Sequence, residues 1–126
     1  MKFLHSMIRV KDEEKSLKFY CDFLGLKKGD RVRLEDCYLQ YLKDEKTGVE
    51  IELTINDDTP KDGYSLGSAF GHFAFECDNL DELSKKADKM GYVFDIESYY
   101  LEEVKSNIAF MLDPDGNSIE FIEKVL

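Results

Sequence analysis

The most restrictive feature of the sequence is an internal repeat of one order of secondary-structure elements. Residues 3–10 are apolar and strand-like, and residues 12–25 have the length of a helix. Residues 70–77 and 78–91 repeat this order later in the chain. Self-similarity of this kind predicts two copies of one folding unit.

Both helical segments carry the sequence signals of helix ends. Asp12 and Asp78 are the predicted N-caps, and acidic residues follow each of them in the first turn. Gly25 and Gly91 each lie 13 positions after the corresponding Asp. Glycine is suited to the left-handed position just beyond a helix, so the two segments are expected to end there.

Strands that pair through a turn follow each helical segment. Residues 39–55 and 108–122 each contain two segments of alternating apolar residues around a turn, which carries Gly48 or Gly116. This arrangement is typical of a β-hairpin. The sequence consequently predicts the order β-α-β-β-β twice.

The two copies define the fold class and the domain organisation. We predict an α+β fold of two βαβββ modules, which form curved sheets with helices on their outer faces. Modules 1–56 and 68–126, joined by a linker at 57–67, make a single domain over residues 1–126. Hydrophobic residues make up 43% of the chain, which gives enough apolar surface for one compact core.

Charge and composition exclude several classes of partner. The net charge of -10 repels polyanions such as nucleic acids and anionic membranes. No segment approaches the roughly 20 consecutive apolar residues of a membrane helix, and the first residues lack the apolar segment of a signal peptide. The three cysteines include no C-x-x-C pair, which fits reduced thiols. We expect a cytoplasmic protein with no nucleic-acid or membrane partner.

The repeat places four potential metal ligands at matching positions. The sequence has two histidines, His5 and His72, and each lies in the first strand of a module. Glu52 and Glu120 follow them 47 or 48 residues later, in the last strand of the same module. Because neighbouring residues of a strand point to opposite faces, each Glu points away from the apolar face of its strand. We expect all four side chains to project from the inner faces of the sheets.

Two imidazoles and two carboxylates form a mixed nitrogen and oxygen set. Such a set suits nickel, cobalt, zinc, iron or manganese, and it disfavours copper(I) and iron-sulfur chemistry. A single strand His is more often a packed or surface residue, and a strand Glu is usually solvated. The matched positions in two copies favour the interpretation as ligands.

Five segments of the chain carry a resemblance to a known family: LHSMIRV, FYCDFLGL, IELTIND, YSLGSAFGHFAF and DPDGNSIEFIE. Together they resemble glyoxalase I (lactoylglutathione lyase) of the vicinal-oxygen-chelate superfamily, over nearly the whole chain. The most particular match is IELT followed by LG-x-A-x-GH. The resemblance implies a pair of βαβββ modules, in agreement with the repeat.

The resemblance also implies a metal site and an assembly. The family's metal ligands fall on His5, Glu52, His72 and Glu120. The chain looks like the short bacterial form, which implies one divalent metal per site, with Ni²⁺ first, Co²⁺ also possible and Zn²⁺ less active. The family forms homodimers in which each site takes one module from each subunit.

The reaction implied by the resemblance is isomerisation of the hemithioacetal of methylglyoxal and a thiol, usually glutathione, to S-lactoylglutathione. The metal acts as a Lewis acid on adjacent substrate oxygens. Glu120 is the expected main base, and Glu52 is its pseudo-symmetric counterpart. Arg9 and Asn56 match residues that contact the thiol cofactor.

The sequence is also compatible with other functions. Ser68 stands where some members have a glutathione-binding arginine, and residues 97–106 are acidic, so the thiol could differ from glutathione. One alternative is another vicinal-oxygen-chelate member that acts on a different thiol adduct. Another is a non-catalytic binding protein of the same fold. Related enzymes generally use three protein ligands and binding proteins lack the metal set, so the fourth carboxylate favours the isomerase.

Overall fold

The described residues form two compact units, each with a helix after its first strand and one four-stranded mixed sheet. The computed structural model describes residues 1–125, and it divides the chain into a unit Met1–Ser65 and a second unit that begins at Leu66. The predicted α+β fold of two βαβββ modules is confirmed. The boundary between the units falls inside the predicted linker, 57–67. The assignment of both modules to a single domain stays a prediction.

The two units have the same order of strands and the same position of the longer helical segment, and unit 2 has a short 3₁₀ segment in addition. Unit 1 contains β1 His5–Arg9, α1 Glu13–Leu17, a π-helical segment Lys18–Phe23, β2 Lys27–Arg33, β3 Cys37–Lys43 and β4 Glu50–Asn56. Unit 2 contains β5 His72–Glu76, α2 Leu80–Met90, β6 Ile96–Leu101, a 3₁₀ segment Glu102–Val104, β7 Ser106–Leu112 and β8 Ser118–Lys124. The strand orders are β1-β4-β3-β2 and β5-β8-β7-β6, and in each sheet the first and last strands of the unit pair in parallel.

The parallel pairing sets the positions of the histidines and glutamates. His5 lies directly opposite Glu50, and Glu52 is two residues further along the same strand. In the same way, His72 lies opposite Ser118, with Glu120 two residues further on. Residues two apart share a face of the sheet, so each unit places one His and one Glu on the same face of adjacent strands.

An ion pair shows where α1 lies relative to the first sheet. Arg31 Nη1 is 2.5 Å from Glu13 Oε2, and Arg31 Nη2 is 3.2 Å from Glu13 Oε1, which ties β2 to α1. Arg31 lies opposite Gln40 of β3, and the next residue of β3, Tyr41, lies opposite Glu52. Neighbouring residues of a strand point to opposite faces, so Arg31 and Glu52 lie on opposite faces of the sheet. The helix is therefore on the face opposite Glu52.

A hydrogen bond gives the same result for α2. The backbone N–H of Leu80, the first residue of α2, donates to Glu123 Oε2 over 2.6 Å. Glu123 lies three residues after Glu120 on β8 and so points to the other face of the strand. The predicted position of the helices, away from the face that carries the His and Glu side chains, is confirmed in both units.

The helix ends differ from the prediction at one position. Asp12 is the N-cap of α1, where its Oδ1 accepts from the N–H of Lys15. The predicted N-cap Asp78 is wrong by one residue, because Asn79 has the extended backbone of an N-cap and its Oδ1 accepts from the N–H of Glu82. Gly91 follows α2 in the left-handed conformation, with φ +81°, as its position predicts.

A buried amide fixes the strand next to the site. All residues of the edge strand β2 are exposed, and its register with β3 shifts between Lys28 and Arg31. Gln40 is 2% exposed, and its Nε2 lies within hydrogen-bond distance of the carbonyl oxygens of Gly29, Asp30 and Tyr41. One buried side chain thus contacts carbonyl oxygens of both strands where their register shifts.

Within residues 1–125, no helix is long and apolar enough to cross a membrane.

Glu123→Gln is expected to lower the free energy of unfolding at pH 7 by about 1 kcal/mol. The substitution replaces the charged acceptor of the first N–H of α2, that of Leu80, by a neutral one. The hydrogen bonds from Asn107 and from Leu80 lower the pKa of Glu123 below its ordinary value of 4.5. A lowered pKa stabilises the folded state above that value, and the stabilisation is lost as the pH falls below it. Urea unfolding at several pH values measures the difference.

The control for this prediction is Glu97→Gln, which makes the same charge change at an exposed position of β6. The wild-type protein should lose its advantage over Glu123→Gln as the carboxylate protonates. An equal difference at pH 7 and at pH 3 would contradict the role of the ionised carboxylate.

Candidate functional site

Unit 1 brings His5 and Glu52 together. His5 Nε2 lies 3.2 Å from Glu52 Oε1. The whole residue Glu52 is only 8% exposed. Two further groups form hydrogen bonds to its carboxylate. The Tyr41 hydroxyl donates to Oε1 over 2.8 Å, and Thr54 Oγ1 donates to Oε2 over 3.2 Å. Both oxygens of this carboxylate are therefore held.

Unit 2 brings His72 and Glu120 together in the same way. His72 Nε2 lies 3.4 Å from Glu120 Oε1, and both side chains are more exposed than those of the first pair. The ring of Phe110 meets the His72 ring edge to face, with centroids 5.7 Å apart. Phe110 lies directly opposite Glu120 and offers it no hydrogen bond.

The geometry of each pair fits coordination of one metal ion. A nitrogen and an oxygen that both bind an ion at about 2.1 Å, at a right angle, are about 3 Å apart. The observed separations of 3.2 Å and 3.4 Å are close to this value. Among residues 1–125, no three His, Cys, Asp or Glu side chains come close enough to hold a metal ion. Each unit by itself supplies a pair of donors, and the four-ligand assignment stays a prediction.

The Tyr41 hydroxyl is a hydrogen-bond donor to Glu52 in this arrangement. Its hydrogen bond to the Glu52 carboxylate raises the pKa of the Tyr41 hydroxyl above its ordinary value of 10, and burial adds to this effect. The hydroxyl is therefore protonated at neutral pH and continues to donate to Glu52.

The three cysteines are free thiols. Burial raises the pKa of Cys77 to about 11, and burial likewise raises the pKa of Cys21 and Cys37. Because the thiolate is the reactive form of cysteine, these residues lack the character of nucleophiles.

Arg9 and Asn56, the predicted thiol contacts, lie on the same face of unit 1 as the His–Glu pair. Arg9 lies four residues after His5, and its side chain is exposed. Within residues 1–125, it has no ion-pair partner. Asn56 Nδ2 donates to the hydroxyl of Tyr64 over 2.9 Å. Asn56 is thus fixed by a residue of the segment that follows β4.

Unit 2 has different residues at the two equivalent positions. Glu76 lies four residues after His72, and Lys124 lies four residues after Glu120. Lys124 Nζ is 2.8 Å from Glu76 Oε2, so the two charges neutralise each other. In unit 1 these two positions hold Arg9 and the uncharged Asn56, so the charge of Arg9 has no such neighbour and stays available to an anion.

Three polar residues around the His–Glu pair of unit 1 and its neighbours were not predicted from the sequence: Tyr41, Thr54 and Tyr64. Thr54 could have been found, because it lies two residues after Glu52 and therefore shares its face. Tyr41 requires the register of β3 against β4, which depends on the length of the turn between them. No local sequence signal connects Tyr64 to Asn56.

The chain is similar to known proteins over nearly its whole length. Residues 2–121 match the sequence model of the Glyoxalase/Bleomycin resistance protein/Dioxygenase superfamily. The lactoylglutathione lyase of Neisseria meningitidis serogroup A is 39% identical over 98% of this chain and 91% of its own. That of Haemophilus influenzae is 35% identical over 98% and 93%. The crystal structure of glyoxalase I from Zea mays is 30% identical, with a TM-score of 0.84 over 98% of this chain and 44% of the maize chain.

Replacing His5 or His72 by Ala is expected to weaken binding of Co²⁺ to the metal-free protein, because each imidazole is one of the four predicted ligands. The loss should exceed the roughly 10- to 100-fold cost of removing a hydrogen-bond partner of a ligand. Isothermal titration calorimetry measures the dissociation constant. Glu50→Gln is the control, since Glu50 lies opposite His5 but is no predicted ligand. Unchanged affinity in both histidine variants, or an equal loss in the control, would contradict the assignment.

Proposed function

Because the chain belongs to the Glyoxalase/Bleomycin resistance protein/Dioxygenase superfamily, and lactoylglutathione lyases match it over nearly its full length, we propose that it is a lactoylglutathione lyase. It isomerises the hemithioacetal of methylglyoxal and glutathione to S-lactoylglutathione, which detoxifies methylglyoxal. The observation that carries the proposal is the pair of equivalent His–Glu contacts, of 3.2 Å and 3.4 Å, one in each unit.

The proposed metal ligands are His5, Glu52, His72 and Glu120. Their two nitrogen and two oxygen donors fit a six-coordinate divalent ion with two positions left for other oxygens. When bound, the ion supplies Lewis acidity to the two adjacent oxygens of the hemithioacetal. Ni²⁺ is the proposed ion, with Co²⁺ as a second choice and Zn²⁺ as the less active one.

Glu120 is the proposed base. Its carboxylate removes the proton from C1 of the hemithioacetal and delivers it to C2, while the hydroxyl proton moves from the C1 oxygen to the C2 oxygen. The described residues around Glu120 give it one polar contact, His72, whereas both oxygens of Glu52 are hydrogen-bonded. This difference supports Glu120 as the carboxylate that moves and Glu52 as the carboxylate that keeps its position.

Arg9 and Asn56 are proposed to bind the glutathione part of the substrate. The Arg9 guanidinium lacks an ion-pair partner among the described residues and presents donors that suit a carboxylate. Asn56 keeps its side-chain oxygen as an acceptor while its amide donates to Tyr64.

The proposed assembly is a homodimer in which the ligands of unit 1 in one chain meet those of unit 2 in the partner. Such an exchange would complete a set of four ligands from two pairs, as the resemblance implies. The proposed location is the cytoplasm, where the thiol of glutathione is kept reduced.

Glu120→Gln is expected to lower kcat by about 100- to 10,000-fold, because the amide retains the shape and one oxygen but loses the basicity that proton abstraction requires. Glu52→Gln should lower kcat less, since its main role is to hold the metal. Steady-state kinetics with the glutathione hemithioacetal, at matched metal content, compare the two variants with the wild-type protein. Near wild-type turnover in Glu120→Gln and collapse in Glu52→Gln would reverse the two roles.

Arg9→Ala is expected to raise KM by about 10-fold and to change kcat little, because binding an anion remote from the reacting carbons stabilises substrate and transition state equally. Lys85→Ala is the matched control. It also removes one positive charge, but from the exposed surface of α2. An equal rise of KM in both variants would indicate a general effect of net charge and would contradict a specific contact.

A further inference from the structure

We propose that Tyr41 is a positioning residue that immobilises the Glu52 carboxylate and thereby confines proton transfer to Glu120. The inference rests on the proposed function, since it concerns which of two equivalent carboxylates can move during the isomerisation. Its evidence is a comparison of the two units, which share one backbone arrangement and differ in a few side chains.

In unit 1, the carboxylate of Glu52 is held at both oxygens. Tyr41 lies directly opposite Glu52 in the register of β3 and β4, and its hydroxyl donates to Oε1 over 2.8 Å. Thr54 donates to Oε2 over 3.2 Å. Hydrogen bonds to an ionised carboxylate are stronger than those between neutral groups, so a rotation of this side chain must break strong contacts.

In unit 2, the side chains at the positions equivalent to Tyr41 and Thr54 cannot donate a hydrogen bond. Phe110 lies directly opposite Glu120, and Ile122 lies two residues after it. Within residues 1–125, the Glu120 carboxylate has one polar side-chain contact, His72, at 3.4 Å. The Glu120 side chain is also more exposed, at 17% against 11% for Glu52.

The aromatic rings themselves are placed alike in the two units. The Tyr41 and His5 rings meet edge to face with centroids 5.4 Å apart and planes at 80°. The Phe110 and His72 rings do so at 5.7 Å and 75°. Because both rings pack in the same way against the histidine, the ring accounts for packing, and the hydroxyl of Tyr41 is the added element that reaches Glu52.

The decisive experiment places Tyr41→Phe in the Glu120→Gln background. If the hydroxyl restrains Glu52, its removal lets Glu52 serve as a substitute base, so the residual kcat of Glu120→Gln should rise by roughly 2- to 10-fold, the factor controlled by one hydrogen bond. A residue that only stabilised the fold would lower this residual activity or leave it unchanged.

A second readout is independent of turnover. Tyr41→Phe alone should weaken Co²⁺ binding to the metal-free protein by about 10-fold, because a ligand that loses its hydrogen-bond partner is less well oriented. Isothermal titration calorimetry measures this loss. Tyr38→Phe is the matched control, since it removes a hydroxyl from the opposite face of the same strand, where the ring stacks on Arg31 and Arg33.

The reverse substitution tests the same idea in unit 2. Phe110→Tyr adds a hydroxyl opposite Glu120 and should lower kcat several-fold while KM changes little, because the restrained group is the base and not a binding contact. A kcat equal to that of the wild-type protein would count against the inference.

The outcomes separate this inference from the function on which it rests. An active wild-type protein, combined with no rise of residual kcat in the double variant and no loss of Co²⁺ affinity in Tyr41→Phe, overturns the role of Tyr41 alone. A wild-type protein that binds Co²⁺ but isomerises no hemithioacetal overturns the proposed function, and with it the assignment of proton transfer.

Discussion

The parallel pairing of the first and last strands of each unit is the constraint on which the rest of the structure depends. Two parallel strands need a long crossover connection, and in each unit a helix forms the beginning of that connection. The helix lies on one face of the sheet, so the opposite face stays open to polar side chains. The same pairing makes neighbours of His5 and Glu52, which are 47 residues apart in the sequence.

The two units use one backbone for different tasks. Unit 1 surrounds its carboxylate with hydroxyl donors and leaves the cation of Arg9 open. Unit 2 faces its carboxylate with the hydrocarbon ring of Phe110 and closes its equivalent charges in an ion pair between Glu76 and Lys124. Under the proposed function, both copies of the repeat hold the metal. Unit 1 also binds the anion of the substrate, and unit 2 supplies the carboxylate that moves.

Much of the fold was predictable from the sequence because the repeat supplied each signal twice. Alternation along β4 was sufficient to place Glu52 away from the helix, and this placement is confirmed. The π-helical turns after Leu17 were not predicted, since the caps of a helix do not report its internal hydrogen bonding. The contact of Tyr41 with Glu52 was also missed, because it depends on strand register across a turn. The four-ligand site and the single-domain assignment stay predictions.

The exposed strand β2 has a consequence for the protein at high concentration. The N–H and C=O groups along a free sheet edge can pair with a strand of another molecule. Five of the seven residues of β2 are charged, and its ladder is interrupted by the register shift that Gln40 supports. An incoming strand would have to bury these charges against an irregular edge. Self-association into extended sheets is therefore disfavoured at this side of unit 1, although the whole strand is exposed to solvent.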